Sequence, residues 1–438
     1  MAEFPGDTPA PPPQSARSAP AETEIRARIG VHGRITFAEF MELALYHPTG
    51  GYYTSGSPVG ASGDYYTSPS AHPAFGAALA VMLRNMWEAL ERPSPFHVIE
   101  MGAGDGLLAR DITAFIPALS PQLVQDLHYV VLDRTSPIPN RAPDTTTTNR
   151  VAATGAPLRN IVGCILSNEL IDAFPVALFE VRDGIPKEIY ITLQDGELRE
   201  VLDDPNTPEL IQAIAGLDHK LPGGYRGEVN LGMATWIDEA SQALDRGFVV
   251  TIDYGHAGAD PYPPRRADGT LRTHRNHTAG NNPLRHVGEQ DITTHVDFAA
   301  LDRLGTESGL SGIGIVSQAD LLGALGINRW LYSLRRMELA QPDRDANMMA
   351  MRDIIRPGGL GDFGILVQQK NTETHNLEQL LPAEKEDLPP PPLLDPAHTP
   401  LLEGSYPHAT WHPPRPGTRP KQSPTKGVQR GHAPLAEA

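Results

Sequence analysis

The stretch Phe96-His97-Val98-Ile99-Glu100-Met101-Gly102-Ala103-Gly104-Asp105-Gly106-Leu107 decides the fold. Its first six residues make an apolar run with the character of a buried strand. A glycine-rich turn follows, and residues 108–115 continue with helical spacing. A strand, a glycine turn and a helix in succession open an α/β domain with a mostly parallel sheet. Outward from this unit the rhythm repeats. Residues 129–133 read as a strand closed by Asp133, 163–166 as one closed by Ser167-Asn168-Glu169, and 248–252 as one closed by Asp253-Tyr254-Gly255-His256. Residues 312–317 and 363–369 read as late strands separated by helical sequence, and they supply an antiparallel edge. Ligands of such sheets sit beyond the carboxyl ends of the strands, where each of these polar clusters stands.

The glycine turn carries the first chemical signal. Glycines let the main chain take positive φ and approach a ligand closely. The dinucleotide pattern G-x-G-x-x-G would need glycine at 107, where Leu107 stands. Glu100-x-Gly102-x-Gly104-x-Gly106 is instead the pattern expected of an S-adenosylmethionine (SAM) site. In this reading Glu100 faces the amino acid end of the ligand, and Gly102, Ala103, Gly104, Asp105 and Gly106 pass beside it. Asp133 accepts from both ribose hydroxyls, as acids do at that place in nucleotide-binding α/β folds. Two alternatives stand beside it. The glycines serve only tight strand-to-helix packing while Asp133 caps a helix, or the chain is a nicotinamide dehydrogenase.

Composition narrows the class. The chain has 438 residues, 53 acidic against 36 basic side chains, and a net charge of −17, which argues against nucleic acid bound through bulk charge. One cysteine, Cys164, leaves no disulfide framework and no cysteine-based zinc site. His274, His277, His286 and His295 match no metal-ligand spacing, so no metal is expected. No apolar run is long enough to span a membrane, and a Pro-rich start with Glu3 and Asp7 resembles no signal or transit peptide. A soluble cytoplasmic protein is the expectation.

Prolines mark the organisation: 20 of the 43 fall in residues 1–20 and 372–438, which are read as disordered Pro-rich tails. The second is locally basic through Arg415, Arg419, Lys421, Lys426 and Arg430. Between the tails the body keeps a charge of −14. Residues 21–95 read as a helical and loop cap. In it Thr36 and Glu39 make a capping box ahead of an amphipathic helix, and Pro73 opens a second helix with one apolar face. Residues 96–371 form the α/β domain, interrupted at 176–232 by hairpin-like sequence and at 257–296 by a polar, His-rich loop without a period.

The chain resembles the MidA family of class I SAM-dependent methyltransferases, which includes a mitochondrial complex I assembly factor reported as a protein arginine methyltransferase. The resemblance rests on Ile35 to Met41, Gly50-Gly51-Tyr52-Tyr53, Gly63-Asp64-Tyr65-Tyr66-Thr67-Ser68-Pro69 and Glu100 to Gly106. It continues through Ser167 to Val176, Asp253-Tyr254-Gly255-His256, Gly288 to Thr293, His295 to Phe298 and Ser317-Gln318. It departs at Val287, where the family usually has proline, and at Asp133-Arg134-Thr135-Ser136-Pro137, where Glu-x-Ser-Pro is expected.

The resemblance implies a Rossmann-like methyltransferase fold, SAM as cofactor, and Tyr66, Thr67 and Ser68 closing the site. It also implies a protein substrate, with an NADH dehydrogenase subunit as candidate. Asn168 and Glu169 fall beside the place where such a fold presents the methyl group. A carboxylate there grips two N–H groups of a guanidinium and aims the third nitrogen. Glu169 is the candidate for that grip, with Asp172 as a second carboxylate one turn on, unless Asp172 only satisfies a helix N-terminus. Arginine is the expected acceptor. A small-molecule methyltransferase and a SAM-binding assembly chaperone without essential catalysis are the alternatives.

Overall fold

The computed structural model describes residues 19–55, 67–134, 148–153, 155–217, 221–258, 260, 262–275, 278–383 and 386–398. Seven strands build the central sheet: β1 (Phe96–Met101), β2 (Leu127–Asp133), β3 (Thr148–Ala152), β4 (Ile161–Asn168), β5 (Leu244–Asp253), β6 (Ser311–Ser317) and β7 (Gly364–Lys370). Their order is β3-β2-β1-β4-β5-β7-β6. Pairings are parallel from β3 across to β5, and β7 runs antiparallel to both β5 and β6. The order reverses between β1 and β4, so a crevice opens at their carboxyl ends.

Alternation along the strands sends side chains to two cores. Phe96, Val98, Tyr129, Cys164 and Phe248 pack beneath helices Ala74–Ala89 and Leu107–Leu119. Ile99, Met101, Ile165 and Val249 pack beneath helices Met233–Ala243 and Phe298–Glu307. Helix Ala74–Ala89 is buried nearly all round, wider than the single apolar face its spacing predicts, because small alanines fill the positions between the large ones.

A second layer joins two regions that read as separate in the sequence. Strands Val176–Arg182, Ile185–Gln194, Glu197–Asp203 and Arg226–Asn230 make an antiparallel sheet, and Arg34–Thr36 from the N-terminal cap pairs with Ile185–Gln194. The capping box holds: the Glu39 N–H donates to Thr36 Oγ1 at 3.1 Å and the Thr36 N–H to Glu39 Oε2 at 3.0 Å. Helices Pro20–His32 and Phe37–Tyr46 share one core with the inserted sheet through Ile25, Phe40, Val176 and Ile191. The predicted loop at 257–296 contains a small sheet of Arg272–Arg275, Thr278–Gly280 and Asp291–Thr293. Its strands are three or four residues long, too short to show a period.

The tail expectation for 372–438 needs correction over its first part. Residues 386–398 run as a strap across the body. Arg329 donates to the Glu386 carbonyl at 2.8 Å, Trp330 Nε1 to the Pro389 carbonyl at 2.9 Å, and the Leu394 N–H to Asn347 Oδ1 at 2.8 Å. A proline run donates nothing to a ladder, but its carbonyls accept from side chains of the surface it crosses. Residues 1–18 and 399–438 lie outside the described residues.

Candidate functional site

The turn after β1 is built on three left-handed glycines, with φ of 71° at Gly102, 54° at Gly104 and 78° at Gly106. A residue with a Cβ is strained there. A Cβ on Gly102 would also lie 2.7 Å from Leu170 Cδ1, whereas one on Gly104 would meet nothing within 4 Å. The tip of the turn thus faces open space with bare main chain, a fit for a cofactor that needs close backbone approach. Asp133 closes β2 and accepts the Gly104 N–H at 3.1 Å, which ties the acid to the turn. Asp105 accepts the Leu107 N–H at 3.1 Å in a turn closed by its own side chain just ahead of the helix, whose N-cap is Gly106. Glu100 sits in the buried layer below and accepts from the Tyr129 hydroxyl at 2.7 Å. Burial and that carboxylate push the Tyr129 phenol well up, so it stays a neutral donor.

Across the crevice, the ends of β4 and β5 bring together carboxylates. Glu169 is held at φ 51°, its N–H donating to the Ile252 carbonyl at 2.9 Å. A non-glycine residue kept left-handed at a strand end stores strain of the kind found at functional sites. Asn168 Nδ2 donates to Glu169 Oε1 at 3.0 Å. The segment after it forms a 3-10 turn, Ile171–Ala173, so Asp172 arrives beside Glu169 without the longer helix the sequence suggested. Asp253, fully buried, accepts the Ile171 and Asp172 N–H groups at 3.0 and 3.3 Å and the Tyr254 N–H at 2.9 Å. Asp291, from the second insertion, accepts the Tyr53 hydroxyl at 2.8 Å. Tyr46 donates to the Ala173 carbonyl at 3.0 Å and ties the cap to the turn that carries Asp172.

No Lys or Arg among the described residues pairs with Glu169, Asp172 or Asp253, and the electrostatics record the cost. Burial, then the Asp172 charge, pushes the Glu169 carboxyl up to about 8, although part of its side chain stays open to the crevice. Burial pushes Asp172 up to about 6, against a hydrogen bond from Tyr254 that lowers it. Burial, Asp172 and Glu169 hold Asp253 well above the usual carboxylate range. Glu169, at about 8, therefore keeps its proton at neutral pH until a cation arrives, whereas Asp172, at about 6, is mostly ionised there. The described residues contain no group of three or more His, Cys, Asp or Glu arranged for a metal ion.

Thr67 caps the short helix Ser68–Ala71. The Ser68 main chain bonds the Glu169 carboxylate, and the Ser68 hydroxyl pairs with buried Gln318, which also donates to the Ile354 carbonyl at 2.8 Å. Ser68 therefore meets the acid cluster, with Thr67 next to it in the chain; Tyr66 lies outside the described residues. A cavity of about 530 Å³ lies on the outer flank of helix Phe37–Tyr46, lined by Arg28, Glu39, Glu42 and Tyr46. It includes neither the glycine turn nor Glu169, so the strand ends and not this cavity mark the site.

Sequence alone assigns Asp253, Asp291, Tyr53, Tyr254 and Gln318 no role in the site. Asp253 had a signal, since it closes β5 as Asp133 closes β2. Asp291 and Tyr53 come together only through the fold, 238 residues apart in the chain.

The strand order with a single antiparallel strand, the glycine turn and the acid at the end of β2 define the class I SAM-dependent methyltransferases, with SAM as cofactor. The profile of a family of S-adenosyl-L-methionine-dependent methyltransferases matches residues 78–316, more than half the chain, and the chain belongs to that family, MidA. It is 27% identical over 318 residues to the protein arginine methyltransferase NDUFAF7 homolog of Drosophila melanogaster, covering 65% of this chain and 70% of that protein. It is 26% identical to protein arginine methyltransferase NDUFAF7 of Homo sapiens over 399 residues, 81% of this chain and 87% of that one. A Burkholderia thailandensis protein solved with S-adenosyl-homocysteine superposes with a TM-score of 0.74 at 26% identity, covering 85% of this chain and 97% of that chain.

Proposed function

We propose that the chain transfers the methyl group of SAM to an arginine side chain of a protein. The observation that carries this reading is the cluster of carboxylates, half-buried Glu169 with buried Asp172 and Asp253, which has no Lys or Arg partner among the described residues. A group of acids in that state is complementary to a cation, and a guanidinium enters charged because its pKa exceeds about 12.

In this account Gly102, Ala103, Gly104, Asp105 and Gly106 pass along the cofactor, Asp133 takes the ribose hydroxyls, and Glu100 with Tyr129 stiffens the base of the turn. SAM supplies a methyl carried on a sulfonium. Glu169 grips the guanidinium side-on, held by Asn168, the Ser68 main chain and its own strained backbone. Asp172 adds negative potential, and Asp253 fixes the turn that presents it. Thr67 and Ser68, backed by Gln318, exclude water above the acids, which strengthens each electrostatic contact. The catalytic unit is the sheet domain of 96–371 together with the cap of 21–95.

The names of the relatives support a protein acceptor, and the NADH dehydrogenase subunits implied by the family resemblance are the first to try. Incubation of the protein with candidate acceptors and isotopically labelled SAM, followed by mass spectrometry, tests the reading. Labelled arginine is expected. Label only on other residue types, or on a small molecule, contradicts it.

A further inference from the structure

The strap ends in a polar clasp close to the cofactor turn. His398, only 5% exposed, bonds Asp111 Oδ2 through Nε2 at 2.8 Å and Asp395 Oδ1 through Nδ1 at 2.9 Å. Arg110 joins both acids, at 2.8 Å to Asp111 and 2.9 Å to Asp395. Arg84 fixes the other end of the strap to Glu386 at 2.5 Å. Asp111 stands five residues from Gly106 on the helix that leaves the glycine turn, about 7.5 Å along its axis at 1.5 Å per residue. The chain therefore passes residue 398 as a neighbour of the site.

The sequence beyond His398 suits that site. Residues 399–438 carry five basic side chains, Arg415, Arg419, Lys421, Lys426 and Arg430, against two acids, Glu403 and Glu437. Arg415 is 17 residues beyond His398, a span of at most about 60 Å, ample for the distance from Asp111 to the crevice. Residues 21–371 carry −14, and the carboxylates at the carboxyl ends of β4 and β5 have no Lys or Arg partner among the described residues. A tethered arginine is presented at an effective concentration on the order of mM, far above what a free acceptor of similar affinity reaches.

We infer that the chain's own C-terminal segment is a substrate of its site: one or more of Arg415, Arg419 and Arg430 enters in cis and is methylated. The inference rests on the arginine reading above and names a particular acceptor. A guanidino nitrogen forms the new bond to the methyl carbon, the carbon–sulfur bond breaks with its pair going to sulfur, and the extra proton on nitrogen leaves to solvent. The products are a methylated arginine and S-adenosylhomocysteine. Until turnover, the same segment competes with outside acceptors.

The test uses the full chain with labelled SAM at two protein concentrations tenfold apart, and tandem mass spectrometry of the tail peptides. A parallel reaction adds a synthetic peptide of residues 409–432 to a variant with Arg415, Arg419 and Arg430 all changed to Lys. Methylarginine on the chain's own tail is expected, with a fraction modified per unit time that does not change on dilution. Glu169→Gln is expected to remove it. Methylation of the added peptide with none on the native tail, or a tail rate falling tenfold with the dilution, overturns the inference and leaves arginine chemistry standing. No methylarginine in either reaction overturns the inference as well, and the arginine reading is then decided separately by the reaction with outside candidate acceptors described above.

Discussion

Two groups of acids stand near the glycine turn, one anchored on buried Asp111 and one on buried Asp172 and Asp253, and they differ in what they face. At the clasp, Asp111 and Asp395 are matched by Arg110 and His398. At the ends of β4 and β5, Glu169, Asp172 and Asp253 meet N–H groups, hydroxyls and one another. Matched acids hold a fold together. Unmatched ones are retained at a cost in stability, and a cationic ligand is the physical reason to keep them.

The largest separation between the two groups comes from amide substitutions. Asp172→Asn is expected to lower methyl transfer by about 10²-fold, the usual scale for losing one preorganised electrostatic partner, while stability is kept or raised as like charge is removed. Asp111→Asn is expected to do the reverse. It leaves Arg110 and His398 short of a buried partner at a cost of about 2–3 kcal/mol, with transfer within about threefold of wild type. Steady-state rates and thermal melts on both variants check this pair, and equal losses in both would erase the distinction.

The pH dependence has opposite signs in the two groups. Glu169 and Asp172, raised to about 8 and about 6, bind protons in the folded chain that the unfolded chain has already released above pH of about 4. Their contribution to stability is therefore lost as pH rises through 6 to 8, while transfer increases over the same window as the grip ionises. Asp395 is lowered: burial would raise it, but the Ala397 N–H and the charges of His398 and Arg110 outweigh that. Its contribution is present at neutral pH and lost on acidification. Denaturant unfolding from pH 5 to 8 reads the sign for the cluster, and Glu169→Gln is expected to flatten the slope.

A smaller effect separates site from scaffold at two glycines with similar backbone. Gly104 at φ 54° and Gly184 at φ 76° both have open space where a Cβ would stand. Alanine at either costs about 1–2 kcal/mol of stability from left-handed strain. Calorimetry with S-adenosylhomocysteine is expected to show weaker binding for Gly104→Ala alone.

The sequence showed the central sheet where the strands are buried. β1, β2, β4, β5 and β7 are apolar runs closed by polar residues, because a strand covered on both faces has few polar positions. β3 was missed: Thr148–Ala152 lies at the sheet edge and reads as polar sequence after a threonine run. Arg34–Thr36 was missed because three residues show no period, and with it went the joining of cap and insertion. Glu169 and Asp172 were legible as acids closing a strand. Their shared burial with Asp253 and Asp291 was not, since it depends on segments more than 80 residues apart meeting at one edge. The strap was hidden by its prolines, which signal a chain without secondary structure and do not signal whether it docks.

The central claim is that the unmatched carboxylates act on a cationic acceptor, and the direct measurement compares wild type with Glu169→Gln. Transfer of labelled methyl to arginine and binding of S-adenosylhomocysteine are measured on the same preparations. Loss of transfer by about 10²-fold or more with cofactor affinity within about threefold is the predicted result. An unchanged transfer rate would contradict the account.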